Sequence, residues 1–187
     1  MPSPEGIDFR LVSPDEAARH VDELIAVYRE VYAEPPYEWG TEHAELFSER
    51  FAGQRRNAGF SLVEARDRDK LIAFGFGVTL PPTTTWWQQL LTPLPDDMTR
   101  EHLGKTFVLM SLLVRRPWRR RHVAETIHAR LLQDRHEERA TLTVLPAATA
   151  AQAAYAKWGW RKATQKHNPL PGSPVFDVMV RELRSSR

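Results

Sequence analysis

The chain has 187 residues, 42% of them hydrophobic and 27% charged, and its 26 lysines and arginines nearly balance its 24 acidic residues, for a formal net charge of +2. This length and composition predict one globular domain over 1–187 and exclude a disordered chain. The absence of cysteine excludes disulfides and cysteine nucleophiles, and because we find neither a run of about 18 apolar residues nor a signal peptide, we expect a cytoplasmic protein.

The first third of the chain is predicted to form a strand and two helices. Residues 7–12 alternate apolar and polar side chains, as a half-buried strand does. A helix should follow, with Ser13 as its cap and Pro14 in its first position. The Glu-Pro-Pro-Tyr segment 34–37 ends this helix because proline cannot continue it, and Thr41 can cap a second helix.

The middle of the chain is predicted to form the centre of a sheet. Residues 60–65 and 71–80 are typical of two strands joined by a charged turn. Segment 81–104 has too many prolines for a long regular element, so we interpret it as an inserted loop. Residues 107–114 are a nearly continuous apolar run, which predicts a central strand buried on both faces.

The last third is predicted to alternate helices and strands. Val123, Ile127 and Leu131 follow each other at helical spacing. The remaining elements are a strand at 140–145, a helix at 147–158 and two strands at 160–165 and 175–183. The predicted order is therefore βααβββαβαββ, a mixed α/β sheet with a crossover helix after its central strand.

An arginine cluster lies where the central strand turns into the next helix. It comprises Arg115, Arg116, Arg119, Arg120 and Arg121. Backbone N–H groups and the positive end of the helix dipole favour a phosphate at such a turn. The sequence therefore predicts a site for a polyanionic ligand there.

At this turn the sequence resembles the GNAT superfamily of N-acetyltransferases. The family's pyrophosphate signature is Gln or Arg, two variable residues, Gly, one residue, then Gly or Ala, and the matching segment is Arg-Arg-Arg-His-Val-Ala at 119–124. His122 takes the place of the first glycine. A second match, Ala151-x-x-Ala-Tyr155-x-x-x-Gly159-Trp, resembles the family's Asn-x-x-Ala-x-x-Leu-Tyr-x-x-x-Gly-Phe, with Ala148 at the Asn position.

This resemblance implies a GNAT-like fold: a mixed, mostly antiparallel central sheet of about seven strands flanked by four helices, with a strand-to-helix turn for the CoA pyrophosphate. It also implies an N-acetyltransferase that uses acetyl-CoA as cosubstrate, without a metal, and transfers the acetyl group to a primary amine by direct attack in a ternary complex. Tyr155 is implied as the general acid, and backbone N–H groups near Leu113 and Val114 would polarise the carbonyl. The residues implied in cofactor binding are Leu112, Leu113, Val114, Arg119, Arg120, Arg121, His122, Val123, Ala124 and Ala151.

The sequence offers several candidates for the general base. An ordinary amine with a pKa of about 10.4 is almost fully protonated at neutral pH, so a base or a desolvated site must help. The central strand carries Ser111 but no Glu. Glu34 and Glu64 are therefore the candidate bases, with Glu38, His43 and a water chain left open.

The acceptor is expected to be a small-molecule amine. Aromatic walls with a few carboxylates suit a cationic amine, and the candidate acceptor residues are Tyr32, Tyr37, Trp39, Trp86 and Trp87. The tandem tryptophans could instead form a lid or a dimer contact, so a homodimer stays open. We expect no membrane partner.

Two other classes of protein fit part of the pattern. One is a catalytically silent CoA-binding or sensor protein, which His122 and the missing strand carboxylate leave open. The other is a nucleic-acid-binding module that uses Arg115–Arg121 for phosphates and Trp118 for stacking. The rest of the chain is not basic, so we expect no nucleic-acid partner.

Overall fold

The computed structural model describes residues 6–167 and 173–183. Its strands are β1 Ile7–Val12, β2 Ser61–Asp67, β3 Lys70–Thr79, β4 Thr106–Val114, β5 Arg139–Val144, β6 Arg161–His167 and β7 Val175–Glu182. Its helices are α1 Pro14–Arg19, α2 Val21–Tyr32, α3 Thr41–Gln54, α4 Asp96–Thr99, α5 Val123–Leu132 and α6 Thr149–Lys157, and a 3-10 turn covers Arg116–Trp118.

The seven strands form a sheet in the order β1-β2-β3-β4-β5-β7-β6. The pairs β1–β2, β2–β3, β5–β7 and β6–β7 are antiparallel, whereas β4 and β5 pair in parallel through Thr106–Val108 and Arg139–Thr141. The predicted α/β class with a mostly antiparallel seven-stranded sheet is confirmed.

Contacts between Cα atoms divide the chain into two compact units. The first takes residues up to Val78 together with Leu109–Arg135, and the second takes Thr79–Val108 together with residues from His136 onward.

In the first unit, helices cover both faces of β3. Phe74 and Phe76 point to one face, where α2 and α3 place apolar side chains at helical spacing. The buried members of this core are Val12, Ala17, Leu24, Val27, Phe47, Phe51, Leu62, Leu71, Phe74, Phe76 and Leu113. On the other face α5 lies so close to the strand that a Cβ at Gly75 would come within 2.7 Å of Ile127 Cγ2. This packing fixes the start of α5, directly after the arginine cluster.

In the second unit, β5, β7 and β6 carry the inserted segment 81–104. Trp87 is buried with Val178 and Val180 of β7, and Leu90 forms an isolated bridge with Lys166 of β6. The insertion is irregular, as predicted, apart from the four-residue α4.

The first predicted helix is in fact two helices. His20 ends α1 and precedes α2, and its Nδ1 lies 2.8 Å from Oε1 of Glu64 on β2. This joint places His20 against the sheet, a tertiary contact that helical periodicity cannot reveal. The second predicted helix begins at Thr41, but Gly40 takes the cap position.

Candidate active site

The turn after β4 is held by contacts to the neighbouring strands. The backbone N–H of Arg115 donates to the Ile72 carbonyl. Trp118 follows in the 3-10 turn, and its indole N–H donates to Asp67 Oδ2 at 3.1 Å. The chain therefore leaves β4 along a fixed path before it reaches the start of α5.

Two residues of this turn have left-handed backbone conformations. Arg120 has φ 59°, and His122, the residue before α5, has φ 58° and ψ 13°. Glycine adopts this region most easily, so His122 keeps the backbone shape that the motif glycine would supply. Its side chain bonds to Glu125 Oε2 at 2.7 Å and makes no capping bond to the backbone. The first N–H groups of α5 are thus not capped by His122 and can donate to an anion.

The arginine cluster divides into two groups. Arg115 pairs with Glu30 of α2, and Arg119 pairs with Glu34 just beyond that helix. The Arg119–Glu34 contact is bidentate, at 2.8 and 3.1 Å, and Arg119 Nε also donates to the Val114 carbonyl at 3.0 Å.

The second group comprises Arg116, Arg120 and Arg121. All three side chains are exposed, and they make no ion pair within the described ranges 6–167 and 173–183. These three guanidinium groups are therefore available to a polyanion. The sequence predicted a basic turn but not this division.

The other predicted cofactor residues of this unit follow the strand and the helix. Leu113 is buried in the core with α2 and α3, whereas Leu112 is half-buried on the opposite face, near Gly75. Val123 is buried and Ala124 half-buried in the first turn of α5.

The predicted acceptor residues Tyr32, Tyr37 and Trp39 form a single aromatic cluster. The ring of Tyr32 stacks on Trp39 with centroids 4.4 Å apart and meets Tyr37 at 4.7 Å. Tyr28 and His43 extend the cluster on either side. Burial raises the pKa of Tyr28 and of Tyr37, so both hydroxyls stay protonated at neutral pH. The structure thus brings together three of the five predicted acceptor residues.

The two candidate bases lie in different surroundings. Glu34 is 28% exposed and pairs with Arg119. Glu64 is fully buried and accepts from Arg66 as well as contacting His20. Arg66 in turn makes a bidentate pair with Glu23, and its hydrogen bonds hold the pKa of Glu23 below the usual range. Sequence reasoning missed this network, because the His20–Glu64 and Arg66–Glu23 contacts join residues 44 and 43 positions apart.

In the second unit, the predicted acid Tyr155 lies on α6. Its half-buried ring meets Trp158 and Trp160 edge-on, at centroid distances of 5.8 and 5.9 Å. Ala151 lies on the same helix, and Ala148 precedes it without a side-chain cap. The Asn of the family pattern would occupy position 148, where α6 has no side-chain cap.

The tandem tryptophans hold the insertion in place. The indole N–H of Trp87 donates to Glu101 Oε1 at 2.8 Å, and the same buried oxygen accepts from Arg139. Trp86 lies beneath the Lys166 ammonium group, which donates to the Trp86 carbonyl. Both contacts attach the insertion to strands β5 and β6.

No group of three or more His, Asp or Glu side chains in the described part of the chain could hold a metal ion. Likewise, none of the described helices is both long and apolar enough to cross a membrane.

Comparisons with solved structures agree on the fold. The PaiA N-acetyltransferase of Thermoplasma acidophilum, solved with coenzyme A, is 14% identical, with 94% of this chain and 98% of that chain covered and a TM-score of 0.62. The ribosomal-protein-S18-alanine N-acetyltransferase of Escherichia coli is 14% identical over 97% and 96%, with a TM-score of 0.65. NAA60 of Arabidopsis thaliana, solved with a bisubstrate analogue, is 15% identical over 95% and 99%, also with a TM-score of 0.65.

At these identities the structural likeness establishes the fold alone, and no curated protein matches the sequence. The family model described as the acetyltransferase (GNAT) family matches residues 24–160, most of the chain. This range includes both the arginine turn and the Tyr155 helix. The chain therefore belongs to the GNAT acetyltransferase family.

Proposed function

We propose that this family member is an N-acetyltransferase that transfers the acetyl group of acetyl-CoA to a primary amine by direct attack in a ternary complex. The observation that carries the proposal is the turn before α5. The start of α5 is not capped by the His122 side chain, His122 has a left-handed backbone, and three arginines have no ion pair with a described residue. These features suit the pyrophosphate and 3'-phosphate of CoA. A catalytically silent CoA-binding protein would use the same turn, so binding and turnover must be tested separately.

The reaction joins the amine nitrogen to the thioester carbonyl carbon and then breaks the bond between that carbon and sulfur. The amine loses a proton, and the CoA thiolate gains one. We assign the second proton to the Tyr155 hydroxyl, on the strength of the register that Tyr155 keeps with Gly159 in the family pattern. A thiol with an ordinary pKa of about 8.5 is already a tolerable leaving group, so this step should contribute about 10²-fold to 10⁴-fold.

Of the two candidate bases, Glu34 is the better supported. It lies beside Arg119 of the CoA turn, whereas Glu64 contacts His20 at the other end of α2. Twelve helical residues at about 1.5 Å each separate these ends by about 18 Å. The Glu34 carboxylate keeps free lone pairs beside its two bonds to Arg119, so it can still accept a proton from the amine.

The acceptor is proposed to bind at the aromatic cluster of Tyr32, Tyr37 and Trp39. Ring faces attract a cation, and Glu34 brings a carboxylate to the same loop as Tyr37 and Trp39. Trp86 and Trp87 are assigned to the packing of the insertion instead, because Trp87 is buried. A small cationic amine is therefore the acceptor class that we propose.

The test has two stages. CoA should first raise the melting temperature, since a ligand at one hundred times its Kd adds about 2.7 kcal/mol to the stability of the native state. Acetyl-CoA with a panel of cationic, neutral and acidic amines should then release thiol, fastest with the cationic members.

Each failure has its own meaning. A melting shift without thiol release from any amine would favour the silent CoA-binding protein. Binding of a nucleic acid that weakens steeply as the salt concentration rises, and that CoA does not compete, would favour a nucleic-acid-binding module.

A further inference from the structure

The arginine at the first position of the CoA signature already pairs with a carboxylate and a backbone carbonyl. Three of the five N–H groups of Arg119 are used, one on the Val114 carbonyl and two on the Glu34 carboxylate. Parallel bonds from a guanidinium to a carboxylate are the geometry that arginine matches best. Arg119 therefore presents a neutralised pair, rather than a free cation, to an incoming phosphate.

A phosphate that took Arg119 would have to displace Glu34. The released carboxylate would then lie close to a second negative charge, which is unfavourable. Arg116, Arg120 and Arg121 impose no such cost, because all three are exposed and none has a carboxylate partner among the described residues. Arginines of this second group can therefore bind the phosphates of CoA without displacing a carboxylate.

Glu34 is also the residue on which the loop between α2 and α3 is built. Its carbonyl accepts from the N–H groups of Tyr37 and Glu38, and the Trp39 N–H donates back to Tyr32. Tyr37 and Trp39 belong to the aromatic cluster. One guanidinium thus joins the end of β4, through Val114, to the residue that shapes this loop.

We infer that Arg119 is a positioning residue that fixes the aromatic acceptor loop 33–40 onto the end of β4, and that it is not a phosphate ligand. This inference rests on the proposed function for its kinetic consequence. The structural part, that Arg119 and Glu34 order the loop together, holds whether or not the protein turns over an amine.

The experiment compares Arg119→Ala, Glu34→Gln and their double variant with Arg121→Ala. Arg121 is the matched control because it lies two residues away, carries the same charge, is exposed and has no ion pair with any described residue. Arg120 is less well matched because its backbone is left-handed, whereas that of Arg119 is extended. A pair that is 39% and 28% exposed contributes little to global stability, so the readout is amide hydrogen exchange of residues 33–40.

We expect Arg119→Ala and Glu34→Gln each to speed exchange in the loop at least tenfold, with the double variant no faster than either single one. Arg121→Ala should leave exchange unchanged. For binding, Arg119→Ala should change the Kd for CoA by less than threefold and lower kcat/KM for the acceptor at least tenfold, whereas Arg121→Ala should weaken CoA at least threefold and spare the acceptor KM at saturating CoA.

Two results would overturn the inference. One is a Kd for CoA that rises in Arg119→Ala as much as in Arg121→Ala, since Arg119 would then be a phosphate ligand. The other is loop exchange that does not change in Arg119→Ala. If the wild-type protein binds no CoA, the proposed function fails, but the exchange measurements still decide whether Arg119 orders the loop.

Discussion

Position 122 illustrates how a side chain can occupy a site that usually needs glycine. A left-handed conformation costs an ordinary residue about 1–2 kcal/mol, and His122 adopts it at φ 58°. Its contact with Glu125 does not compensate, because the His122 side chain is 68% exposed and exposed pairs are weak. The turn therefore stores strain directly before α5.

We predict that His122→Gly raises the free energy of unfolding. Relief of the strain should exceed the extra flexibility of glycine in the unfolded chain, about 0.5–1 kcal/mol, for a net gain of about 0.5–1 kcal/mol. Urea unfolding without ligand measures it. His136→Gly is the control, since His136 is exposed but not left-handed, and it should lose stability. Equal losses at both positions would mean that His122 is not strained.

The proposed role of Tyr155 as the general acid can be tested by removing its hydroxyl group alone. We predict that Tyr155→Phe lowers kcat and kcat/KM together by about 10²-fold, roughly 2.7 kcal/mol, because the proton is needed only as the thiolate leaves. The ring contacts with Trp158 and Trp160 remain, so the Kd for acetyl-CoA should stay nearly constant in equilibrium binding. Turnover within about twofold of wild type at every pH would assign the proton to water or substrate.

At the scale of elements, the position of α5 depends on one glycine of β3. A Cβ at Gly75 would lie 2.7 Å from Ile127 Cγ2, 3.0 Å from Leu131 Cδ1 and 3.1 Å from Leu112 Cδ1. These atoms belong to a close-packed layer between the strand and the helix. Because α5 begins directly after the turn 115–122, where we propose that CoA binds, displacement of the helix would also move the N–H groups at its start.

Gly75→Ala is therefore predicted to destabilise the fold by about 1–3 kcal/mol and to weaken CoA binding, measured by chemical unfolding and by titration. Gly53→Ala is the counterpart in α3, where a new Cβ meets nothing within 4 Å. That substitution should stabilise by about 0.5–1 kcal/mol, since alanine is the better helix former. A neutral Gly75→Ala would indicate that α5 can shift freely.

A contact of β7 with β6 and α6, through Asp177, makes the stability of the fold depend on pH. Burial raises the pKa of Asp177 on β7, but hydrogen bonds from Lys162, Gln165 and Gln152 outweigh it, and the net pKa lies below the ordinary 3.8. Two of these donors are on β6, and Gln152 is on α6, with Nε2 2.8 Å from Asp177 Oδ2. The ionised carboxylate thus joins the β6–β7 pair to α6.

A depressed pKa contributes stability above the unfolded value, and this contribution is lost as pH falls through the folded value. We predict that Asp177→Asn is less stable than wild type at pH 7, by about 1–3 kcal/mol, and that the two converge below pH 3.8. Urea unfolding across pH 2–7 tests this. Asp8→Asn, at an exposed position on β1, should show no such convergence. A constant difference at all pH values would remove Asp177 as the titrating group.

The element bounds could be predicted from sequence to within about two residues, because periodicity, proline breaks and Gly159 are local signals. What local signals could not supply were contacts between distant positions. Glu30 and Glu34 each lie 85 positions from their arginine partners, so five arginines looked equivalent. In the same way, the burial of Trp87 depends on Glu101 and Arg139, and the break at His20 depends on Glu64.

At the scale of the whole molecule, the two compact units are not two consecutive pieces of chain. The chain passes from the first to the second between Val78 and Thr79, the last two residues of β3, and returns between Val108 and Leu109, inside β4. Each unit is therefore built from two separate segments. Strands β3 and β4 each contribute residues to both units, so unfolding of either unit would disrupt strands that the other unit also uses.

We predict that the chain unfolds in one cooperative transition, as a single domain would. Calorimetry should give equal calorimetric and van't Hoff enthalpies. Gly75→Ala changes the first unit and Asp177→Asn the second, so each variant should lower the same melting temperature without splitting the peak. The tryptophans report on both units, Trp39 and Trp118 on the first and Trp86, Trp87, Trp158 and Trp160 on the second. Gly75→Ala could instead produce two calorimetric peaks, with the fluorescence of the tryptophans of the second unit unchanged through the peak at the lower temperature. The units would then be independent domains, and the prediction of one domain over 1–187 would be wrong.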